Sequence, residues 1–364
     1  MSSRSINVVE SAHELLALQE EWDALEFDSP FMEFGWLCSW WLQIGGNGSL
    51  YVVTSRDESG QLVLIAPWYL HQSRTRGTEI RFLGSGKICS DYSSLAVHTD
   101  SNPAEEVAAL VEWLRQRSDW KCINLEGCAK SDSHIGLFVR LMADRGYQFF
   151  GKQEESFWRL QLPNSYSEFV STRPKKTRQK LRKVERESFP DSEFELCTEQ
   201  RDLDSYLHDF KLMHMARHRE LHGHDGCFED LSFDAFLKSN LARLLSEQRL
   251  WFGRLRIDGQ VAASCIAMQR HDILYYYQTA FDPKLFAHQP GWIQNIHLIQ
   301  NCIAQRVSAI DFLRGDEPYK ARLGAEACPH ERLRTVANTP AAQLRFGVWS
   351  ALHTLKNSMP SGQD

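Results

Sequence analysis

The same order of secondary structure is predicted twice along this chain of 364 residues. Each half contains a hairpin, a further strand, a helix, and a final strand that a glycine turn closes. In the first half we predict a hairpin of residues 50–54 and 62–70, a helix from Pro103 and a strand at 122–125. In the second half we predict a hairpin of residues 250–257 and 261–268, a helix from Gly291 and a strand at 309–313. A duplicated α/β unit accounts for this order better than one long sheet.

The length suits two domains. The segment Pro163–Ser171 is the predicted boundary, so we expect domains at 1–165 and 166–350 and a tail at 351–364.

Composition narrows the functional class. The chain is 43% hydrophobic and 11% aromatic, which excludes disorder, and its net charge of −6 limits any polyanion site to a local patch. The nine cysteines contain no CxxC pair, which favours a reducing compartment over a disulfide framework. Cys227 and Cys265 are either small buried residues, which is the favoured interpretation, or active thiols. No signal peptide or apolar run of about 18 residues is present, so a cytoplasmic protein without a membrane span is expected.

Ionisable side chains are concentrated at the end of the last predicted strand, in the run Asp311-Phe-Leu-Arg-Gly-Asp-Glu-Pro-Tyr-Lys320. Gly315 permits a sharp turn, and Pro318 ends hydrogen-bonded pairing. Ligands of open α/β sheets bind at the carboxyl ends of strands. The run is therefore either part of a ligand site or a solvated turn.

A second charged feature is the predicted helix 171–188, with Thr172 as its cap and Pro174 in its first turn. Its residues 173–186 carry eight basic side chains. The helix is either a solvated face or a binding surface for a polyanion such as the phosphates of coenzyme A, an anionic glycan precursor or tRNA.

His214, His218 and His222 recur every four residues on one predicted helix. Two such histidines can bind zinc, but the segment His218-Arg-Glu-Leu-His222 places its glutamate one position later than the H-E-x-x-H pattern. A helix surface is the favoured interpretation, and no metal site is expected.

Several of these segments together resemble a known family. They are Ser29-Pro-Phe with Trp36, Trp40 and Trp41, Leu64-Ile-Ala-Pro67, Arg81-Phe-Leu-Gly-Ser85 with Asp91-Tyr92, the basic helix, the Pro290-Gly291 helix start and the 311–320 run. The combination resembles the BioF2-like or CelD-like acetyltransferases of the GNAT superfamily, which are related to the FemAB aminoacyltransferases, over about residues 6–345. The resemblance implies tandem GNAT-like α/β domains, each a mixed, mostly antiparallel sheet flanked by helices, with the active site in the second.

The resemblance also implies acyl-CoA as co-substrate and an amine of a sugar or small metabolite as acceptor, in polysaccharide or envelope biosynthesis. An ordinary GNAT domain has a Gln/Arg-x-x-Gly-x-Gly/Ala loop before its long helix, whereas this chain reads His288-Gln-Pro-Gly-Trp292, with fewer glycines. A helix N-terminus still presents amide groups to a pyrophosphate. Gln289, Gly291 and Trp292 are thereby assigned to the donor.

N-acyl transfer needs a base for the amine and an acid for the leaving thiolate. On the resemblance, Asp316 or Glu317 is the expected base, and Asp311 is either an alternative base or a buried structural acid. Tyr319 is the expected acid, or else it stacks. Arg314 and Lys320 would hold a phosphate or carboxylate. The residues assigned to the acceptor are Arg217, His218, Tyr275 and Tyr277, the two tyrosines because strand alternation places them on one face, opposite Tyr276.

Two other functions fit the same features. A FemAB-like enzyme would take an aminoacyl group from charged tRNA, held by the basic helix. A non-catalytic protein of this fold would serve envelope assembly by binding alone.

Overall fold

A computed structural model describes residues 4–86, 88–187 and 191–348, so the predicted tail at 351–364 lies outside the described residues. The chain divides into two compact units, one of Met1–Glu154 with His330–Asp364 and the other of Glu155–Pro329. In the part of the chain that is described, no helix combines the length and apolar character that a membrane span requires.

The first unit is built around two sheets. Up to residue 154 its elements are β1 (Ser5–Val9), α1 (Ala12–Ala17), α2 (Gln19–Asp23), α3 (Phe34–Gln43), β2 (Gly48–Leu50), β3 (Val52–Arg56), β4 (Leu62–Ala66), β5 (Trp68–Ser73), β6 (Gly77–Phe82), β7 (Ala96–Val97), α4 (Pro103–Arg115), β8 (Cys122–Ala129), α5 (Ser133–Ala143) and β9 (Phe150–Gln153). The first helix begins with a capping box between Ser11 and Glu14, as the sequence predicts.

The second unit is built around one sheet. Its elements are β10 (Phe157–Gln161), α6 (Tyr166–Thr172), α7 (Lys175–Glu187), β11 (Ser192–Leu196), α8 (Leu203–His222), α9 (Leu231–Ser246), β12 (Leu250–Ile257), β13 (Gln260–Arg270), β14 (Ile273–Phe281), α10 (Pro290–Ala304), β15 (Ala309–Arg314), α11 (Pro318–Leu323) and β16 (Glu326–Cys328). The last strand of the chain, β17 (His330–Val336), belongs to the first unit.

Strand order places one parallel pair in each unit. The sheets of the first unit run β1-β3-β4-β7 and β2-β5-β6-β8-β17-β9, and that of the second runs β11-β12-β13-β14-β15-β10-β16. Pairing is antiparallel except between β6 and β8 and between β14 and β15, and each of those pairs is connected through a helix, α4 or α10. Parallel neighbours require such a crossover. The predicted duplication of an α/β unit with mixed, mostly antiparallel sheets is confirmed.

The division between the units differs from the boundary that the sequence suggested. The chain leaves the first unit after Glu154 and returns to it at His330, because β17 pairs with β8 and β9 rather than with the second sheet. Most of the segment Pro163–Ser171 is not a linker but lies in α6, which Ser165 caps through the amide of Glu168.

The basic helix α7 is amphipathic. Its Thr177, Leu181 and Val184 are buried, and the last two belong to the core of the second unit together with Ile296 of α10. The apolar stripe therefore fixes which face of α7 carries its exposed charges.

Gly253 of β12 lies where its neighbours leave no room for a side chain. A Cβ there would overlap the ring of Phe194, which is stacked on His297 with ring centroids 5.5 Å apart, and would lie 3.0 Å from the sulfur of Cys265. We expect Gly253→Ala to lower the free energy of unfolding by about 2 kcal/mol, because overpacking forces neighbours off their preferred rotamers.

Gly136 of α5 is the matched control, since a Cβ there meets no atom within 4 Å. Gly136→Ala should raise the free energy of unfolding by up to about 1 kcal/mol. Urea denaturation measures the free energy of unfolding of both variants. Equal effects at the two positions would contradict the close packing around Gly253.

Candidate active site

Two adjoining cavities lie where β14 and β15 stop pairing. The parallel ladder consists of three residue pairs and ends at Tyr275–Asp311, although β14 continues to Phe281 and β15 to Arg314. The cavities have volumes of about 680 Å³ and about 320 Å³. Five residues line both and form a shared wall: Arg217, Tyr276, Thr279, Glu317 and Tyr319.

The larger cavity, here called the helix-tip cavity, surrounds the start of α10. Besides the shared wall it is lined by Phe281, Phe286, Ala287, Gln289, Pro290, Gly291, Trp292 and Asn295. Its volume and largely apolar lining are typical of ligand sites.

The backbone at the helix tip favours an anionic ligand. Gln289 has a left-handed backbone (φ 59°), which turns the chain into α10. The amides of Trp292 and Ile293 donate to the carbonyl of Gln289, whereas Gly291 precedes the first intrahelical bond. A Cβ at Gly291 would meet no atom within 4 Å, so a phosphate group has room to approach this amide.

Two buried amide side chains on α10 add polar groups to the otherwise apolar surroundings of the helix-tip cavity. Gln294, 1% exposed, donates to the hydroxyl of Tyr276 at 2.7 Å and to that of Thr279 at 2.9 Å. Asn295, 7% exposed, lines the helix-tip cavity, and its Oδ1 has no hydrogen-bond partner among the described residues. Because a buried acceptor without a donor is costly, Asn295 indicates a hydrogen-bonding ligand.

The smaller cavity, here called the histidine cavity, lies beside α8. Besides the shared wall it is lined by His214, His218, Leu221, His222, Tyr277, Gln278, Phe312, Arg314 and Lys320. The imidazoles of His214 and His218 stack with centroids 4.3 Å apart. Within the described ranges, no three His, Cys, Asp or Glu side chains are grouped so as to hold a metal ion.

Burial keeps the inner histidines neutral. It lowers the pKa of His214 to about 4, and the adjacent His218 and Arg217 act in the same direction. Burial and then His222 lower the pKa of His218. The ring nitrogens Nδ1 of His214 and His218 are buried and have no partner among the described residues. At neutral pH these two imidazoles are therefore available to hydrogen-bond a ligand without adding charge.

The shared wall combines a phenol, a carboxylate and a guanidinium. Burial and then the charge of Glu317 raise the pKa of Tyr319, so its hydroxyl remains a proton donor at neutral pH. Glu317 is 57% exposed and lies 2.8 Å from the ammonium of Lys320. The guanidinium of Arg217 lies over the ring of Phe281, 4.4 Å from its centroid.

Lys320 has a different role from the one expected. It is 2% exposed, and its ammonium donates to the carbonyl groups of Leu313 (3.3 Å), Arg314 (2.9 Å) and Gly315 (2.9 Å). Leu313 and Gly315 have left-handed backbones (φ 57° and 114°). With Glu317 as a fourth partner, Lys320 holds the turn after β15 and has no donor to spare for a phosphate.

The two aspartates considered as bases lie off the cavities. Asp311 is buried and bonds Arg159 at 3.0 Å and the amide of Leu313 at 2.9 Å, so it is the structural acid. Asp316 is exposed and accepts hydrogen bonds from the amide of Ser156 and the indole of Trp158. Of the three carboxylates, only Glu317 lies in the cavity lining.

The alternation assumed for the tyrosines fails at a β-bulge. On β13, Ile266 pairs with Gln278 and the next residue, Ala267, with Tyr276, so Tyr277 is an extra residue in β14. Tyr275, 1% exposed, is buried and lines neither cavity. Tyr276 lines both cavities and Tyr277 lines the histidine cavity, so strand periodicity assigned Tyr275 wrongly.

Other predicted site residues do line the cavities. Gln289, Gly291 and Trp292 surround the helix-tip cavity, whereas Arg314 and His218 line the histidine cavity. Sequence reasoning missed Thr279, Gln294 and Asn295. A signal existed for the two amides, since they interrupt the buried apolar positions of α10 between Ile293 and Ile296.

A family model matches the segment that forms these cavities. Residues 171–321 match the family described as "Acetyltransferase (GNAT) domain", and every residue that lines either cavity falls within this range. The segment 171–321, here called the GNAT domain, is therefore similar to GNAT acetyltransferase domains.

Solved structures share the fold of the GNAT domain and of the unit that precedes it. FemX superposes with a TM-score of 0.63 at 10% identity, over 93% of this chain and 99% of that one. A conserved protein of unknown function from Bacteroides thetaiotaomicron gives 0.54 at 12% identity, over 91% and 100%. L-PGS from Bacillus licheniformis gives 0.51 at 13% identity, over 93% and 96%. At such identities these likenesses show the fold alone, and no curated protein matches the sequence.

The ion pair between the buried Asp311 and the half-buried Arg159 stabilises the second unit. We expect Asp311→Ala to lower the free energy of unfolding by about 3 kcal/mol, because it removes the carboxylate that accepts from the amide of Leu313 and from the guanidinium of Arg159. Asp204, which is 72% exposed in its pair with Lys238, is the control, and Asp204→Ala should cost less than about 1 kcal/mol. Urea denaturation measures both, and a cost at Asp311 no larger than at Asp204 would contradict the structural role.

Proposed function

We propose that the GNAT domain transfers an acyl group from acyl-CoA to the amine of a sugar or small metabolite. The observation that carries the proposal is the position of the shared wall. Glu317 and Tyr319 lie between a cavity at a helix N-terminus, suited to the donor, and a second cavity, suited to the acceptor.

The residues present fit coenzyme A. Gly291 offers its amide and open space to a phosphate, and Asn295 offers an unpartnered oxygen to a donor group of the ligand. Phe281, Phe286 and Trp292 offer apolar surface to its arm. When bound, acyl-CoA supplies the acyl carbonyl group and the thiolate that leaves.

The chain's own residues then supply proton transfer and charge stabilisation. As the amine nitrogen bonds to the acyl carbon and the carbon–sulfur bond breaks, Glu317 orients the amine and accepts its proton. Glu317 is exposed enough to pass that proton to solvent, from which the departing thiolate recovers one.

Tyr319 acts as a hydrogen-bond donor to the charge that develops in this step. Its raised pKa lies above that of an ordinary thiol, about 8.5, so full proton transfer from the phenol to a thiolate is unfavourable. A donor held at the developing charge still lowers the barrier.

The finer assignment follows the sequence resemblance. The BioF2-like or CelD-like motifs support a reaction of polysaccharide or envelope biosynthesis in the cytoplasm, with the 311–320 run as the main support.

Charged tRNA is a second candidate donor, and the basic helix favours it. α7 carries seven lysines and arginines against Glu185 and Glu187, and most of these charges are exposed. Its Lys180 lies 5.9 Å from the ring centroid of Trp292, so the charged face adjoins the helix-tip cavity. A polyanion would bind there with a strong dependence on salt.

Coenzyme A binding tests the donor site directly. We expect isothermal titration to show binding to the wild-type protein and at least about tenfold weaker binding to Gly291→Trp, because the indole fills the space beside the Gly291 amide. Leu231→Trp is the control, at an 83% exposed position of the same unit, and should bind like wild type.

Two results would count against acyl-CoA. One is unchanged affinity in Gly291→Trp. The other is tRNA binding that falls steeply with salt and is lost when Lys175, Lys176 and Arg182 are replaced by alanine, with no affinity for coenzyme A; that result would establish the second candidate.

Release of coenzyme A thiol in the presence of an amine panel tests the shared wall. Glu317→Gln should lower kcat about 100-fold through loss of the base. Tyr319→Phe should lower kcat between about 10-fold and 100-fold through loss of one donor. Both variants should keep their affinity for coenzyme A.

Asp316→Asn is the control, because Asp316 is adjacent in sequence but turned toward Ser156 and Trp158. Its kcat should stay within about twofold of wild type. If neither Glu317→Gln nor Tyr319→Phe changes the turnover, the proposed roles of these two residues are contradicted, and a protein that only binds its ligands is favoured.

A further inference from the structure

We infer that the acceptor carries an oxyanion, a phosphate or a carboxylate, in addition to its amine, and that Arg217 and Arg314 bind that group in the histidine cavity. The inference rests on the proposed function for the identity of the acceptor, but its anion site can be tested separately.

The charges that line the histidine cavity are unbalanced. Its described lining contains two guanidinium groups, one ammonium and three imidazoles, against the single carboxylate of Glu317. The ammonium of Lys320 pairs with that carboxylate and with three carbonyl groups. Arg217 therefore adds positive charge to a cavity lining whose one acid is already paired, and Arg314 belongs to the same lining.

Arg217 is the more informative of the two arginines. It is half-buried over the ring of Phe281, and none of the described carboxylates lies within ion-pair distance of its guanidinium. A partly desolvated cation without a counter-ion is unfavourable, and an oxyanion of the ligand would relieve that cost with charge-assisted hydrogen bonds. Because Arg217 lines both cavities, an anion bound to it lies beside the reacting centre.

The histidines complete the site as neutral partners. His214 is 8% exposed, and its buried Nδ1 lacks a partner among the described residues, as does that of His218. Neutral imidazoles can donate to the oxygens of a phosphate or carboxylate, or bind neighbouring hydroxyl groups. They do so without repelling the protonated form of an amine.

The opposite charges also orient the acceptor. Glu317 repels the anionic group of the acceptor, and Arg217 and Arg314 attract it. The amine of the acceptor therefore faces Glu317 and Tyr319. A volume of about 320 Å³ lies at the small end of ligand cavities, which favours an amino sugar phosphate or an amino acid over a polymer.

Matched pairs of amines test the inference by turnover. One pair is an amino sugar and its phosphate ester, and the other is an amino acid and its carboxamide. We expect kcat/KM to be at least about tenfold higher for the anionic member of one pair, since a charge-assisted hydrogen bond contributes about 1.5–3 kcal/mol. The pair that shows the preference identifies the oxyanion as phosphate or carboxylate.

The preference should disappear in Arg217→Gln and in Arg314→Gln, and partly persist in Arg217→Lys, which keeps the charge. Arg201→Gln, the same change at an exposed position outside both cavities, should retain it. Equal or better use of both neutral members, or a preference that survives both glutamine variants, would overturn the inference.

Anion binding without turnover separates this inference from the proposed function. Inorganic phosphate is titrated into Gly291→Trp, in which the helix tip is blocked, and is followed by phosphorus NMR line broadening. If Arg217→Gln, added to this variant, weakens phosphate binding at least about tenfold, the result supports the site even if coenzyme A does not bind the wild-type protein. Binding that neither Arg217→Gln nor Arg314→Gln weakens would overturn the inference even if coenzyme A binds. So would the absence of phosphate binding together with equal use of the amino acid and its carboxamide.

Discussion

The early end of the β14–β15 ladder is the constraint on which the site depends. Three residue pairs join these parallel strands, and beyond them the two strands continue without pairing with each other. In the space between them, Tyr276 and Thr279 of β14 meet the start of α10 and the turn after β15. That turn is held by the buried ammonium of Lys320 on three successive carbonyl groups, so Glu317 and Tyr319 are placed by the backbone rather than by ligand.

The two units use their parallel pairs differently. In the first unit, Glu79 lies where β6 pairs with β8, fully buried and bonded to Arg76 and Arg81. In the second unit, the region beyond the end of the β14–β15 ladder carries buried polar atoms on Asn295 and His214 that have no partner among the described residues. Because these atoms belong to residues that line the two cavities, they indicate a ligand, which favours the GNAT domain as the reacting one.

The sequence predicted the tandem fold, and it singled out Gly291, Glu317 and Tyr319, which all line the helix-tip cavity, because helix starts, strand ends and glycine turns are local signals. It assigned Asp316 and Lys320 by chemistry alone, and could not show that the first faces Trp158 and the second caps carbonyl groups. It also could not show the bulge at Tyr277, where the consecutive residues Tyr276 and Tyr277 both line the histidine cavity, because the extra residue is defined only by pairing with β13. The role of each of these residues depends on its tertiary partners, which no local sequence pattern encodes.

A crystal structure of the protein with acetyl-CoA bound is the most direct test of the central claim. The claim predicts phosphate density at the Gly291 amide and the thioester carbonyl in the shared wall, within hydrogen-bond reach, about 3 Å, of the hydroxyl of Tyr319. Density for acetyl-CoA elsewhere, with the helix-tip cavity vacant, would contradict it. So would a thioester group that points away from Glu317 and Tyr319 into solvent.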